Sequence, residues 1–545
     1  MSMTWTPTMR CQRWALPIWT PGSYTVRDHA QYLHSLNLQQ TNQSIAFKRV
    51  SASSWQIDLD SLERLTLSYC IEARQLTVRT CYLDPDFASL CLAAAVMEVD
   101  GYRWMPHWLT FSLPVDWNVH LPLEGSDRYW AEDFDHLVDA PVHAGRFASQ
   151  EFAVNKNTHQ LVCIGEPPGG WPVNLLADIS SVCRATCSLM NESPPAANRY
   201  QLVIQMLEKG YGGLEHDFGA VLQYSWNSIG DDEGYRKFLQ LVGHEYLHQW
   251  NVRRLRPREY WPYDYSQAVI SEGLWFAEGI TSYYDLTLPL LAGLSDRKSL
   301  LKDLSDELYP LFANQGRQFQ SLSDSSREAW VKLYKATPSS ADTQVSYYRL
   351  GAAVAFCLDV RLRLVNSSLA NVLRQLWRKF GITRRGYSRH DIQAEIAKIS
   401  HDLADELSLW LDTPGLLPID AVINEIGLVL ERSNESQSNL GLTVVVNNSL
   451  VEITRVENGS AAREAGLVVG DELIAAQGFR LRKPIDLQKL IPNDRLVVVT
   501  YCRRGEIAEA NLYCHSSKKK KWQLIWDPNA SYEAKLLRDQ WFEFI

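Results

Sequence analysis

The spacing of hydrophobic and polar positions changes twice along the chain. In the first part, apolar and polar residues alternate in short runs such as QLTVRTCYL (75–83) and RFASQEFAV (146–154), separated by Asp, Pro and Gly. A period of two predicts half-buried β-strands. Because the segment GEPPGGWP (165–172) interrupts the alternation, we predict a β-rich N-terminal domain over residues 1–165.

The spacing then becomes helical. The segment EGYRKFLQLVGHEYLHQWNV (233–252) places apolar residues three and four positions apart, as on one face of an α-helix. GLWFAEGITSYYDLTL (273–288) and YYRLGAAVAFCLDVRLRLV (347–365) predict two further helices, both largely buried. With RYQLVIQML (199–207) as one more strand, we predict a mostly α-helical domain over residues 166–428.

Strand patterns return near the C-terminus. The polar stretch ERSNESQSN (431–439) predicts a linker, and a compact β-rich domain is expected within residues 429–515. The aromatic, amphipathic tail 516–545 is expected to pack back on the body. The predicted fold class is therefore multidomain α+β.

Composition narrows the function without identifying it. The chain has 545 residues, 46% hydrophobic and 21% charged, and a net charge of -9, so we expect several cores and no nucleic-acid partner. The N-terminus lacks the apolar core of a signal peptide, and no stretch reaches the ~18 apolar residues of a membrane helix. Ten cysteines follow no metal or disulfide spacing. We expect a cytoplasmic protein with reduced cysteines and no membrane partner.

One segment carries recognisable chemistry. HEYLHQWNVRRLRP contains His-Glu-x-x-His, formed by His244, Glu245 and His248. Residues four apart lie on one face of a helix, so both imidazoles can bind one metal ion while Glu245 reaches a water beside it. This is the arrangement of zinc peptidases. The alternative is an ordinary helix with two hydrogen-bonded histidines.

A third ligand can be proposed downstream. A catalytic zinc ion takes three protein ligands and leaves one position open. Glu278 lies in the apolar segment LWFAEGITSYY, where a carboxylate is costly to bury unless it is paired or metal-bound. We predict that Glu278 completes the site for one Zn²⁺ ion. The alternative is a carboxylate on an exposed helix face.

These two segments together resemble the glycyl aminopeptidase family of zinc metallopeptidases. The resemblance covers nearly the whole chain and includes four further segments: LPIWTPGSYTVRD (16–28), DFDHLVDAPVHAG (133–145), YGGLEHD (211–217) and SYYRLG (346–351). It implies a thermolysin-like catalytic domain in which the third zinc ligand is a glutamate. The family usually has one or two more strands before the first of these segments.

The resemblance also implies roles for individual residues. Glu245 matches the general base and acid, Glu215 the glutamate that holds the substrate's free amine, and Tyr348 the tyrosine that supports the oxyanion. By chemistry alone Tyr347 is nearly as suitable, and Glu215 is also consistent with a turn carboxylate. Where the family has lysine two positions after this tyrosine, the chain has Leu350.

A substrate strand would lie along the segment that carries Glu215, because Gly212 and Gly213 allow close backbone approach. These roles predict a zinc-dependent aminopeptidase that hydrolyses the first peptide bond of peptides through a zinc-activated water. The resemblance implies a preference for small N-terminal residues such as Gly or Ala. One alternative is a zinc endopeptidase, and another is a peptide-binding adaptor with a degenerate catalytic domain.

The C-terminal unit resembles a PDZ domain in SNLGLTVVV and SAAREAGLVVGDELIAAQG. The resemblance implies that Leu440, Gly441 and Leu442 form a carboxylate-binding loop. Backbone N–H groups there would capture the C-terminus of a peptide ligand, which adds a strand to the sheet edge. The alternative is a structural module packed on the catalytic domain.

Overall fold

The computed structural model describes residues 1–438, 440–490, 495–514 and 516–543. The N-terminal region starts with two four-stranded sheets. Their strands, in sheet order, are Ser2–Trp5, Leu65–Ile71, Leu33–Gln40 and Gln43–Ser44, then Glu98–Val99, Cys11–Ala15, Ser54–Asp58 and Lys48–Arg49. A core that includes Trp5, Trp14 and Trp55 lies between them. Two strands therefore precede the segment LPIWTPGSYTVRD.

Two smaller sheets and a short helix complete this region. The sheets are His107–Leu109, Tyr129–Ala131 and Glu124–Gly125, then Asn118–His120, Val142–Gly145, Phe87–Leu90 and Tyr82–Leu83, and the helix is Phe134–Val138. The predicted strand 75–83 is wrong over most of its length, because only Tyr82–Leu83 pairs in a sheet. Residues 77–81 turn instead, with the Thr77 and Thr80 hydroxyls hydrogen-bonded at 2.7 Å.

A mixed five-stranded sheet follows the N-terminal region. Its order is Ser149–Val154, Asn157–Ile164, Gln201–Leu207, Gly219–Ser225 and Tyr211–His216. The last of these, which we call the edge strand, pairs only with Gly219–Ser225, in antiparallel register, among the described residues. The predicted boundary at residue 165 falls after the first two strands of this sheet, because periodicity does not show which sheet a strand joins.

One helix lies between strands of this sheet in the chain, and the others follow the sheet. They are Leu175–Met190, Asp232–Leu247, Ile280–Leu291, Arg297–Ala313, Leu322–Arg327, Ser340–Thr343, Tyr347–Leu364, Leu369–Leu376, Arg389–Ala397, His401–Asp412 and Ile419–Glu425. A π-helical turn, Trp275–Gly279, precedes Ile280–Leu291. We call Asp232–Leu247 the histidine helix, residues 275–291 the glutamate helix and Tyr347–Leu364 the tyrosine helix.

A side-chain cap starts the histidine helix, and two glycines allow the glutamate and tyrosine helices to pack closely. Asp231 caps the histidine helix, since its carboxylate accepts a hydrogen bond from Gly234 N at 2.8 Å. Two glycines bring the glutamate and tyrosine helices together, because a Cβ on Gly279 would lie 2.5 Å from the Cα of Gly351. No side chain fits at this crossing, so the helix axes can approach closely.

The C-terminal unit has its own hydrophobic core. Its strands are Leu442–Asn447, Leu450–Val456, Glu472–Ala476, Phe479–Arg480, Arg495–Arg503 and Glu506–Cys514, and its helices are Ala461–Glu464 and Pro484–Leu490. Arg455 joins it to the body through a salt bridge to Asp342 at 2.7 Å.

A two-stranded ribbon leads into and out of this unit. Leu428–Ser438 pairs antiparallel with Ser516–Trp526, so the predicted linker 431–439 is wrong over its described residues. Its partner lies about 90 positions further along the chain, and local polarity gave no sign of that pairing. The final helix, Tyr532–Trp541, packs on the body, where the Trp541 indole N–H donates to the Tyr283 hydroxyl at 2.9 Å. Among the described residues, no helix is long and apolar enough to cross a membrane.

Candidate metal and peptide site

The histidine helix presents two imidazoles whose orientation is set by hydrogen bonds. His244 Nδ1 bonds the Asp285 carboxylate at 2.8 Å, and His248 Nδ1 bonds the Asn251 carbonyl oxygen at 2.6 Å. Acceptors at Nδ1 place the N–H there and leave both Nε2 lone pairs free. Histidines that bind metals are commonly held in this way.

Glu278 faces the two free nitrogens. Its Oε2 lies 3.6 Å from His244 Nε2 and 3.4 Å from His248 Nε2, and the side chain is 3% exposed. A tetrahedral zinc ion with bonds near 2.0–2.2 Å has ligand atoms roughly 3.3–3.5 Å apart. The two distances from the carboxylate to the imidazoles are therefore close to those that such an ion requires, and all three ligand atoms lie within 4.8 Å of one another.

The backbone at Glu278 is unusual, because this residue lies on the π-helical turn Trp275–Gly279. Single π-turns inside α-helices are often found at functional sites. The buried Asn251 side chain holds this turn, since its Nδ2 donates to the carbonyl oxygens of Phe276 and Ala277, both at 3.0 Å. The end of the histidine helix and the turn that carries Glu278 are thus fixed to each other.

The N-terminal region also reaches Glu278. The Tyr24 hydroxyl donates to Glu278 Oε1 at 2.9 Å, and both side chains are buried. This bond uses the oxygen that does not face the histidines. It therefore leaves Oε2 as the ligand atom and fixes the rotation of the carboxylate.

Glu245 projects from the same helix towards the edge strand. It is 4% exposed, and its Oε2 has no hydrogen-bond partner in the described part of the chain. A Cβ on Gly213 would lie 2.3 Å from Glu245 Oε1, so any side chain there would displace the Glu245 carboxylate. Gly212 has a positive φ of 139°, which also favours glycine.

Glu215 lies two residues further along the edge strand and is 4% exposed. Its Oε1 has no hydrogen-bond partner among the residues described. Ligand atoms of Glu215, Glu245 and His248 lie within 4.8 Å of one another, as do those of His244, His248 and Glu278. We favour the second group as the metal ligands, because hydrogen bonds orient all three of its members.

A salt-bridge network fixes the end of the edge strand. Arg253 is 2% exposed and bonds Asp139 at 2.7 Å and Asp217 at 2.8 Å. His216 Nδ1 lies 3.2 Å from the Asp139 carboxylate. Asp139 belongs to the N-terminal region, so three parts of the chain meet beside Glu215.

The tyrosine helix brings Tyr348 to the other side of the site. Its hydroxyl lies 2.9 Å from that of Tyr334, and the hydroxyl of the neighbouring Tyr347 lies 3.2 Å from the same atom. Tyr347 is fully buried, whereas Tyr348 lines the cleft. Leu350 lines a separate small cavity, so it does not contact the site.

A cleft of about 460 Å³ opens onto these groups and is lined by His244, Glu245, Gly212, Gly213 and Tyr348, among others. Burial strongly affects the charges here. It raises the pKa of the Glu245 carboxyl, and the two histidines only partly oppose this. Burial alone would raise the pKa of Glu278, but the charges and hydrogen bonds of His248 and His244 hold it well below its usual range. Burial raises the pKa of Tyr348, so its phenol keeps its proton.

The structure thus brings together the predicted ligands, Glu245, Glu215, Tyr348 and the two glycines. The three predicted PDZ-loop residues do not line this cleft. Sequence reasoning missed Asp285, Asn251 and Tyr24. Asp285 could have been found, because it follows Glu278 by two helical turns. Tyr24 gave no such sign, since it contacts a residue 254 positions away.

Known families match two parts of the chain. Residues 237–354 match the M61 glycyl aminopeptidase model, and residues 2–146 match the Peptidase M61 N-terminal domain model. The chain is therefore similar to M61 peptidases in both of these regions. The M61 glycyl aminopeptidase match contains the glutamate helix and parts of the histidine and tyrosine helices, and the M61 N-terminal match includes Tyr24. No curated protein sequence matches the chain significantly.

Solved structures extend this result. The aminopeptidase N family protein from Idiomarina loihiensis is 26% identical and superposes with a TM-score of 0.91, covering 99% of this chain and 97% of that one. The fold is thus shared over nearly the whole length of both proteins. An M1 zinc metallopeptidase from Deinococcus radiodurans is 12% identical, with a TM-score of 0.47, and covers 77% of this chain and 90% of that one.

Proposed function

We propose that the protein is a zinc-dependent aminopeptidase that hydrolyses the first peptide bond of peptides. The observation that carries this proposal is the spacing of His244 Nε2, His248 Nε2 and Glu278 Oε2, with a second buried carboxylate, Glu215, close to them. His244, His248 and Glu278 supply a metal site, and Glu215 supplies an anchor for a cationic amine.

The donor set fits zinc rather than a harder cation. Two imidazoles and one carboxylate form a common ligand set of catalytic zinc, whereas calcium and magnesium prefer oxygen ligands. All three side chains are held by hydrogen bonds to neighbouring groups, and the cleft reaches His244. Three protein ligands beside an accessible cleft are typical of a catalytic site.

Bound zinc would supply a Lewis acid that polarises the scissile carbonyl and lowers the pKa of a water molecule. Glu245 would accept the proton of the attacking water and deliver it to the leaving amine. Its raised pKa suits both steps. Tyr348 would donate a hydrogen bond to the oxygen on which negative charge develops.

Glu215 would bind the free α-amine. An α-amine has an ordinary pKa of about 7.7–8.0 and is largely cationic at neutral pH. A buried carboxylate with an unpartnered oxygen would form a strong charge-assisted bond to it. The Gly22 loop supports cleavage at the first bond only, because a Cβ on Gly22 would lie 2.5 Å from Glu215 Oε2 and 2.6 Å from the Leu214 side chain. A substrate chain that continued beyond the amine would have to displace this packing.

The M61 glycyl aminopeptidase match supports a preference for small N-terminal residues such as Gly or Ala.

The experiment compares a free-amine peptide with its N-acetylated form, using zinc-loaded protein. We expect cleavage of the free peptide alone. Glu215→Ala should lower kcat/KM for the free peptide by about 2–4 kcal/mol, which is roughly 30- to 900-fold. Glu151→Ala is the matched control, because Glu151 is exposed on the opposite edge strand of the same sheet. Equal cleavage of free and acetylated peptides would show that the enzyme is an endopeptidase and that Glu215 is structural.

The C-terminal unit supports a second, separate proposal, that it binds peptides in the manner of a PDZ domain. Leu442–Asn447 lies at one edge of the sheet of the C-terminal unit, as far as the described residues show, and the helix Pro484–Leu490 lies beside it. Gly441 has a φ of 73°, and a Cβ there would lie 2.0 Å from the Cβ of Ser460. An edge strand beside a helix is the arrangement in which an added peptide strand binds.

A further inference from the structure

We propose that Arg79 binds the C-terminal carboxylate of short substrates, so that the enzyme prefers dipeptides with a free carboxylate. This inference rests on the aminopeptidase function proposed above. It names the substrate class of that site and the residue that selects it.

Arg79 belongs to the N-terminal region but lines the catalytic cleft together with His244, Glu245 and Tyr348. Its Nη2 donates to the Gly213 carbonyl oxygen on the edge strand at 3.1 Å. Its Nε–H is buried without an acceptor among the described residues. The guanidinium therefore has only part of its hydrogen-bonding capacity used.

The charges around the cleft leave Arg79 without a counter-ion. Asp285 bonds His244. Three further carboxylates that line the cleft each have a basic partner: Asp303 with Arg236, Asp306 with Lys302, and Glu307 with Arg349. No carboxylate oxygen in the described part of the chain lies within 4.0 Å of the Arg79 guanidinium. Glu245, the remaining carboxylate of the cleft, has an unpartnered oxygen but forms no salt bridge with Arg79 in the described part of the chain, so this guanidinium is available for an anion from outside.

A second guanidinium, that of Arg27, lies close enough to Arg79 for the two charges to repel each other. It bonds the Ser23 hydroxyl at 3.0 and 3.1 Å and forms no salt bridge with a described residue. Burial lowers the pKa of Arg27, and repulsion from Arg79 lowers it further. Two neighbouring cations with no acidic partner form an electropositive patch, which a bound carboxylate would neutralise.

The spacing matches a dipeptide. Gly213 and Glu215 are two residues apart on one strand, which is about 6.8 Å. An extended dipeptide has about the same distance between its amine and its carboxylate, since each residue spans ~3.4 Å. Gly22 packs against the Glu215 side chain, so a substrate whose amine is bound there would run along the edge strand towards Gly213. Its carboxylate then arrives at Arg79.

The test compares Ala-Ala with Ala-Ala-NH₂, which share the free amine and the scissile bond and differ in the terminal charge. We expect wild type to favour the free acid by about 10- to 100-fold in kcat/KM, mainly through KM, as for a hydrogen bond between charged groups. Arg79→Gln should bring this ratio close to one, and Arg79→Lys should give an intermediate ratio.

Arg74→Gln is the control, because Arg74 comes from the same segment but its side chain is 83% exposed. It should keep the wild-type ratio. Equal cleavage of acid and amide by wild type would overturn the inference and leave the aminopeptidase function standing. An unchanged ratio in folded Arg79→Gln would do the same. If wild type cleaves neither dipeptide nor any aminoacyl reporter, the proposed function fails as well.

Discussion

The bond from Tyr24 to Glu278 predicts that the N-terminal region tunes the metal affinity of the catalytic region. Tyr24→Phe removes one hydroxyl and leaves the ring in its packing. Glu278 is 2% exposed, so no solvent can replace the lost donor at Oε1. A hydrogen bond to a charged group contributes about 1.5–3 kcal/mol. Since 1.4 kcal/mol is a factor of ten, we expect the zinc Kd to rise roughly 10- to 100-fold, as for similar partners of metal ligands.

The assay is competition for zinc with a chromogenic chelator. Tyr69→Phe is the matched control, because Tyr69 is also a buried tyrosine of the N-terminal region, and its hydroxyl donates to the Ala95 carbonyl oxygen at 2.8 Å. Both variants should lose about 1 kcal/mol of unfolding free energy, but only Tyr24→Phe should lose zinc affinity. A zinc Kd within threefold of wild type in Tyr24→Phe would refute the reasoning.

Three further outcomes follow from the site and its support. Glu245→Gln should retain about one equivalent of zinc but lower kcat by roughly 10²–10⁴-fold, because an amide cannot accept the proton. Metal analysis and turnover measurements test this, and a loss of less than tenfold in kcat would contradict it. Gly351→Ala should destabilise the fold by about 1–3 kcal/mol in denaturant unfolding, since its Cβ would lie 2.9 Å from the Cα of Gly279; Gly230→Ala, with open space around it, is the control. Replacing residues 440–513 by a short linker should leave turnover of small aminoacyl reporters intact and weaken cleavage of longer peptides, and loss of reporter turnover in the folded protein would show that this unit completes the site.

Local pattern was enough to predict which side chains lie together at the centre of the candidate site. The spacing of His244 and His248 is a property of any α-helix, and the apolar surroundings of Glu278 already indicated a buried carboxylate. The π-turn that carries Glu278 was not predicted, because periodicity does not distinguish a π-turn from an α-turn.

The sequence pattern could not predict pairing between strands that lie far apart in the chain. The stretch 431–438 reads as polar linker, yet it pairs with Ser516–Trp526, since strand pairing depends on a partner elsewhere in the chain. Residues 75–83 alternate as a strand does, but hydroxyl hydrogen bonds turn the chain there. That turn brings Arg79 to the cleft, a position that no local rule indicates.

The N-terminal region supplies Tyr24, Gly22 and Arg79 to a site whose His-Glu-x-x-His motif lies more than 160 residues downstream. Recombination during evolution could exchange this region between related chains. A single such event would change the zinc affinity, the packing around Glu215 and the selection for a substrate carboxylate. The catalytic motif would remain identical in every residue. Two enzymes with the same His-Glu-x-x-His helix could therefore differ in substrate, and residues 1–146 would be the place to look for the difference.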